Sequence, residues 1–284
     1  MSTILDMVDD ALGEMKALNY TLPRVMAVMN NINSSARDLV RVIQMDPVLT
    51  ARVLRVSNSA YFGMREEVTS LHRATILLGM NTIRNLALAT AVRGNFKLDS
   101  GKCLVRSEDF WRYTVGTAVM SELVARTCSA SRPQYEEAFV VGLLHSIGKA
   151  LFIQIFPEKY NEVVGVALER QVVTDDVEVE VFGVNHRDVG LRMAQRWHLP
   201  ESVCDGIMHY NCPTDSSKAS TWIVGVSSSQ VKDLQVGFSG DLTVHPIVAE
   251  TYSALKLDPT ILQRMVRKDF DEALLRADAF IKGG

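Results

Sequence analysis

The sequence predicts an all-α protein. Three observations carry the prediction. Apolar residues recur at three- and four-residue steps, as in Leu49, Val53, Val56 and Ala60 after Asp46, which puts them on one helix face. Asp46-Pro47 and Asp258-Pro259 each place a side-chain acceptor at an N-cap and a proline at the first helical position, a strong start signal. No sustained two-residue alternation demands a sheet, and no internal repeat or low-complexity tract interrupts the pattern.

In chain order, Ser35 with Asp38 three residues on reads as a capping box opening a helix that runs to Met45. The helix after Asp46-Pro47 exits at Asn58 to Gly63, with Asn and Gly locking the exit. Gly79 can close a helix begun after Ser70, and Asn81 can cap the next, giving a two-armed corner. Ser107-Glu108-Asp109 starts a helix to about Ser129. Pro133 precedes the helix that carries His145, expected to run unbroken and end before Pro157. Further helices are expected over 158–170, 175–182, 186–197, 200–209 and 216–232. A loop from Gln235 to Pro246, rich in glycine, precedes the last helices.

Composition bounds the class. The 284 residues, 47% hydrophobic and 22% charged, suit a globular chain with a large core rather than a disordered one. The formal net charge of −3 argues against affinity built on phosphate neutralisation, so no nucleic-acid partner is expected. Asp6, Asp9, Asp10 and Glu14, with no basic lead-in, fit neither a secretory signal nor a transit peptide. The most apolar window, 138–156, is interrupted by His145, Lys149 and Gln154, and is expected to be a buried core helix rather than a membrane span. Cys103, Cys128, Cys204 and Cys212 show no C-x-x-C spacing, so reduced thiols in the cytoplasm are the expectation.

The most informative string is Phe139 to Lys149, FVVGLLHSIGK. It resembles the HD-superfamily phosphohydrolase motif, in which a His-Asp pair precedes Ile-Gly-Lys, except that the pair here is His145-Ser146. A second block, DPVLTARVLRVSNSAYFG from Asp46 with TSLHRATILLGMNTIRNLAL from Thr69, resembles the HDOD (HD-related output) domain of bacterial signalling proteins. Trp111, Asn185-His186, Trp197-His198-Leu199-Pro200 and His209-Tyr210 follow in that family's order, so the resemblance covers roughly residues 18 to 213. It implies a multi-helical HDOD/HD-like fold. An N-terminal helical lobe, residues 1–100, would pack on a degenerate HD-like lobe with C-terminal helices, residues 101–284. Ile76, Leu77, Leu78, Ile83, Leu86 and Leu88 are more apolar positions than one small lobe can bury, so a shared apolar interface is expected.

The resemblance also implies where metal ligands would stand. The first histidine falls at Tyr113, the His-Asp pair at His145 and Ser146, the intervening histidines at His186 and His209, and the late aspartate near Ser228. A serine hydroxyl is neutral near pH 7 and cannot replace a bridging carboxylate. Catalytic residues and cofactor are therefore expected to be absent. If any metal bound, His145, His186 and His209 would hold a single ion, three imidazoles plus water being a known zinc arrangement. Lys149 could neutralise a phosphate, but the plainer expectation is a solvated charge at a helix end. Trp111 and Trp197 read as aromatic anchors of the core.

The function the resemblance implies is a non-catalytic, bacterial, cytoplasmic regulatory protein that binds a signalling protein or a small ligand. The alternatives are a residual metal-dependent phosphohydrolase or phosphodiesterase acting on a nucleotide or cyclic dinucleotide, and a nucleotide sensor using the vestigial pocket. Arg37, Arg41, Arg52 and Arg55 superficially suggest a DNA-reading helix pair, but they alternate with a continuous apolar face, as in an ordinary core helix. A partner surface is instead expected at Arg52, Arg55, Tyr61, Phe62, Met64 and Arg65, because interfaces favour arginine and aromatic anchors.

Overall fold

Caps divide the chain much as the punctuation predicts. The computed structural model describes residues 4–14, 24–25, 27–28, 34–59, 62, 64, 66–94, 96–98, 101–128 and 132–274, and no strand occurs among them. The N-terminal helices are α1 (Ile4–Glu14), α2 (Ala36–Gln44), α3 (Pro47–Ser57), α4 (Leu71–Leu78) and α5 (Met80–Arg93). The next are α6 (Ser107–Thr127), α7 (Arg132–Leu144), α8 (Ile147–Ile155), α9 (Pro157–Arg170), α10 (Thr174–Phe182) and α11 (His186–Arg196). The chain continues through α12 (Glu201–His209), α13 (Ala219–Asp233), α14 (Ala249–Leu255) and α15 (Pro259–Met265) into a π-helical turn, Val266–Phe270.

Ser35 and Asp38 form the expected reciprocal capping box. Asp46 accepts from the Leu49 amide at 2.9 Å, and Asp258 from Thr260 at 2.7 Å, each before a proline at the first helical position. Asn58 locks the exit of α3 by clasping the Val68 backbone, donating to its carbonyl at 2.9 Å and accepting from its amide at 2.6 Å. Gly63, the other half of the expected lock, lies outside the described residues. The corner at Gly79 is tighter than expected. With φ of +87°, a value that suits glycine, this one residue ends α4 and begins α5, so no cap at Asn81 is involved.

Two expectations fail more informatively. The apolar run over 138–156 is two helices, α7 and α8, broken at His145-Ser146. Both arms are buried on nearly every side, so no apolar stripe changes phase at the break and periodicity could not reveal it. The stretch Glu137–Ile155 is apolar and long enough to cross a membrane, but 89% of its most apolar window is buried inside the fold. In the N-terminal region, Ile83, Leu86 and Leu88 are buried as expected, whereas Ile76 and Leu77 are 69% and 51% exposed. The sharp turn at Gly79 ends α4 just beyond them, and they project outward at its last turn.

Buried side chains from Val8 to Leu274 form one contiguous core. Its axis is α6, which packs on α7 and α13, while α5 packs on α7 from the N-terminal side. The hydroxyls on the buried α6 bond back to carbonyls of their own helix: Thr114 to Trp111, Thr117 to Tyr113 at 3.0 Å and Ser121 to Thr117 at 2.7 Å. Trp111 and Trp197 are buried anchors as expected. The opposite wall is α11 packed on α8, where Gly148 and Gly190 let the two backbones approach closely.

Candidate functional site

The break between α7 and α8 aims His145 into the core. Its backbone amide still bonds Val141 at 2.8 Å as a last helical turn, but Ser146 leaves helical geometry at φ −106° and ψ 19°. His145 Nδ1 lies 2.6 Å from the Gly142 carbonyl, which can only accept, so Nδ1 carries the proton. Nε2 is then a free lone pair and accepts from the Tyr113 hydroxyl at 3.1 Å. Ser228 from α13 lies 2.8 Å from the same hydroxyl and donates to it. Burial pushes the His145 pKa down to about 3, against the opposing pull of the Gly142 carbonyl, so the ring is neutral at physiological pH.

His186, the first residue of α11, anchors a second arm. One oxygen of Glu178, on α10, accepts from both the His186 backbone amide at 2.7 Å and from Nδ1 at 2.6 Å, while its other oxygen accepts from Tyr160 at 3.0 Å. Nε2 of His186 faces the Tyr210 hydroxyl at 3.2 Å. The Tyr210 ring also meets His145 edge to face at 4.7 Å, so this tyrosine stands between the two imidazoles. Burial raises the Tyr210 pKa well above the ordinary value, so its hydroxyl stays protonated. Nearby Asp175 is paired with Arg187 at 2.8 Å and with the Asn211 amide at 2.9 Å. Burial works against its charge, but His186, Lys149 and Arg187 outweigh that effect and hold its pKa at about 2.

The third arm overturns the expectation for Lys149. The side chain is 2% exposed and does not reach solvent at a helix end. Its ammonium donates to the Ser239 carbonyl at 3.2 Å and to Asp241 at 3.4 Å. The same Asp241 oxygen accepts from the Thr174 hydroxyl at 3.2 Å, and the other oxygen accepts from Lys232 and from the Thr243 amide at 3.2 Å. Burial disfavours both charges, but each is overcome by the other. Lys149 is held above the ordinary lysine value by Asp241, Glu178 and Asp175, and Asp241 well below the usual carboxylate range by Lys149 and Lys232.

Tyr113, His145 and Ser228 therefore meet as the motif alignment implies, with Lys149 and His186 in the same buried region. Ser146 is fully buried at the position of the missing acid, and its hydroxyl has no hydrogen-bond partner. His209 does not join them. It is half-buried at the end of α12, and the place expected for its imidazole is taken by the next residue, Tyr210. The single-ion set of His145, His186 and His209 is thus not assembled. Both ring nitrogens of His145 and of His186 already face protein partners, and no group of three or more His, Cys, Asp or Glu among the described residues could hold a metal. The donors present do not fit the metal that an HD-type frame implies.

Glu178, Asp175 and Asp241 escaped the motif reading, and Tyr210 entered it only as the neighbour of His209. Asp175 and Glu178 had a faint signal, two acids one helical turn apart facing the same way as buried Phe182. Asp241 had none beyond its place in a glycine-rich loop. In the surface expected for a partner, Arg55 is exposed, and Arg52 is half-buried with its guanidinium against Gly94. Phe62 and Met64 pack against the core, and Tyr61 and Arg65 lie outside the described residues.

The HDOD domain family model matches residues 15–213 of this chain. A structure of an HDOD domain protein of unknown function from Geobacter sulfurreducens superposes with a TM-score of 0.78 at 20% identity, covering 92% of this chain and 91% of that one. A Shewanella amazonensis SB2B protein provisionally called a phosphohydrolase superposes with a TM-score of 0.72 at 24% identity, over 96% of this chain and 97% of that one. At these identities the likeness establishes the fold. An uncharacterised protein of Treponema pallidum (strain Nichols) is 25% identical over 217 residues, 75% of this chain but only 40% of that longer protein.

Proposed function

The chain belongs to the HDOD family, and from that premise we propose that it is a non-catalytic signal-transduction protein that acts by binding a partner protein or a small ligand. The observation that carries this reading is the occupancy of the imidazoles. His145 and His186, the two histidines at the centre, spend every ring nitrogen on protein groups, and Ser146 offers no anion beside them. The buried positive charge at this centre is an ammonium, Lys149, already matched by Asp241. A hydrolase of this frame needs open metal positions and a polarised water, and the packed tyrosines leave no donor free to supply them. Four unpaired cysteines fit a cytoplasmic setting.

Purified protein supplied with divalent manganese, zinc or iron is expected to show no turnover of a cyclic dinucleotide or of a guanosine polyphosphate. Metal-dependent hydrolysis abolished by His145→Ala would overturn the proposal. Ser146→Asp alone is expected to stay inactive, because Tyr113 and Ser228 still occupy two other ligand positions.

For the partner, the exposed Arg55 is the favoured anchor, since interface energy concentrates in arginine and aromatic groups. Arg55→Glu is expected to melt within about 2 °C of the parent, as surface substitutions do, and to lose capture of the partner from a lysate of the source cells. Arg52→Glu is expected to lower the melting temperature as well, because its guanidinium packs on Gly94. Retained capture by Arg55→Glu would move the interface away from this helix.

A further inference from the structure

Beside the buried centre lies a cleft of about 450 Å³, within the size range of small-molecule sites. Tyr210 and Ser228 form its inner wall, so an occupant would touch the tyrosine that faces His186 and the serine that bonds Tyr113, which in turn bonds His145. Its outer wall, including Trp222 and residues 245–251, lies beyond the part matched by the family model.

We propose that this cleft binds a small organic cation with a flat apolar body and N–H donors. The lining contains no lysine or arginine, yet it carries two exposed carboxylates, Asp215 and Glu250. A phosphate-bearing ligand would meet two like charges there and no counter-charge. The nearby cation Lys232 is already paired with Asp241. Asn211 also lines the cleft, with its Nδ2 turned to Asp175 at 2.9 Å. The exposed charged groups here, the two carboxylates, are acceptors, which call for a donor. Trp222, Val226, Pro246 and Ile247 supply the apolar surface for the body of such a ligand.

The inference rests on the reading that this protein works by binding. The measurement below detects occupancy and not turnover, so it fails separately from the hydrolysis test. Cys212, the exposed cysteine, lines the cleft and serves as the reporter. Its alkylation by iodoacetamide is followed by mass spectrometry of the Cys212 peptide, with benzamidine, benzamide or AMP as competitor and buried Cys103 as the control for unfolding. Benzamidine is expected to slow the reaction on the order of threefold or more, benzamide less, and AMP not at all. The double variant Asp215→Asn/Glu250→Gln should lose the advantage of benzamidine over benzamide. Val248→Trp, which fills the mouth, should lose protection by either. Protection by AMP equal to that by benzamidine, equal protection by benzamide, no protection by benzamidine, or an advantage that survives the double variant would each overturn the proposal.

Discussion

Asp241→Ala is expected to destabilise the fold by about 3–5 kcal/mol, the cost of leaving a buried charge without its partner. The variant strands the Lys149 ammonium beside Ser239 and removes the acceptor for Lys232, Thr174 and Thr243 together. Lys149→Met should cost less, because Asp241 keeps Lys232 and the loss of a buried ammonium leaves an apolar chain of similar length. Denaturant midpoints of the two variants give the comparison, and equal losses would mean that the pair does not carry the charge balance. The same group sets an acid limit. The Asp241 pKa is lower in the folded protein than in the unfolded chain, so its stabilisation is complete above the unfolded value near 4 and is lost as pH falls toward the folded value. Asp241→Asn should therefore lose less stability than the parent between about pH 5 and pH 2.

Gly148→Ala is expected to be comparably severe, at about 3 kcal/mol or more. A Cβ there would sit 1.9 Å from the His186 carbonyl oxygen and 2.8 Å from the Gly190 nitrogen, both backbone atoms that cannot rotate away. The crossing of α8 and α11 would have to open, and His186 would move off Glu178. Gly165→Ala is the internal control. Nothing lies within 4 Å of a Cβ at Gly165, so alanine in that helix should be neutral or stabilising by up to about 1 kcal/mol. Near-ultraviolet circular dichroism with thermal melts would separate the two. A normal melt for Gly148→Ala would show that the glycine of the Ile-Gly-Lys string is not a packing requirement.

These cases also mark how far the sequence alone is legible. Signals written within a few residues could be read, namely the Ser35–Asp38 box and the two Asp-Pro starts, and motif order placed Tyr113, His145 and Ser228 at one point. Long-range interactions with no motif behind them could not. Lys149 alone looks like any lysine after a glycine, and only the return of the chain 92 residues later brings Asp241 to it. His209 and Tyr210 are adjacent, and nothing local says which of them turns inward. Helix phase decides it, and phase shifts with each break such as the one at His145-Ser146. Ile76 and Leu77 misled for a related reason, since apolar character predicts burial only when the turn that follows keeps the face pointing at the core.

The Lys149–Asp241 pair gives the chain a length requirement that motif boundaries do not. The family match ends at residue 213, yet Ser228, Lys232 and Asp241, which complete the buried centre, all come after it. A fragment trimmed to the matched segment would contain Lys149 without Asp241 and Tyr113 without Ser228. The smallest segment able to fold autonomously is therefore expected to extend past Asp241, with its limit set by electroneutrality of the interior rather than by the last recognisable motif.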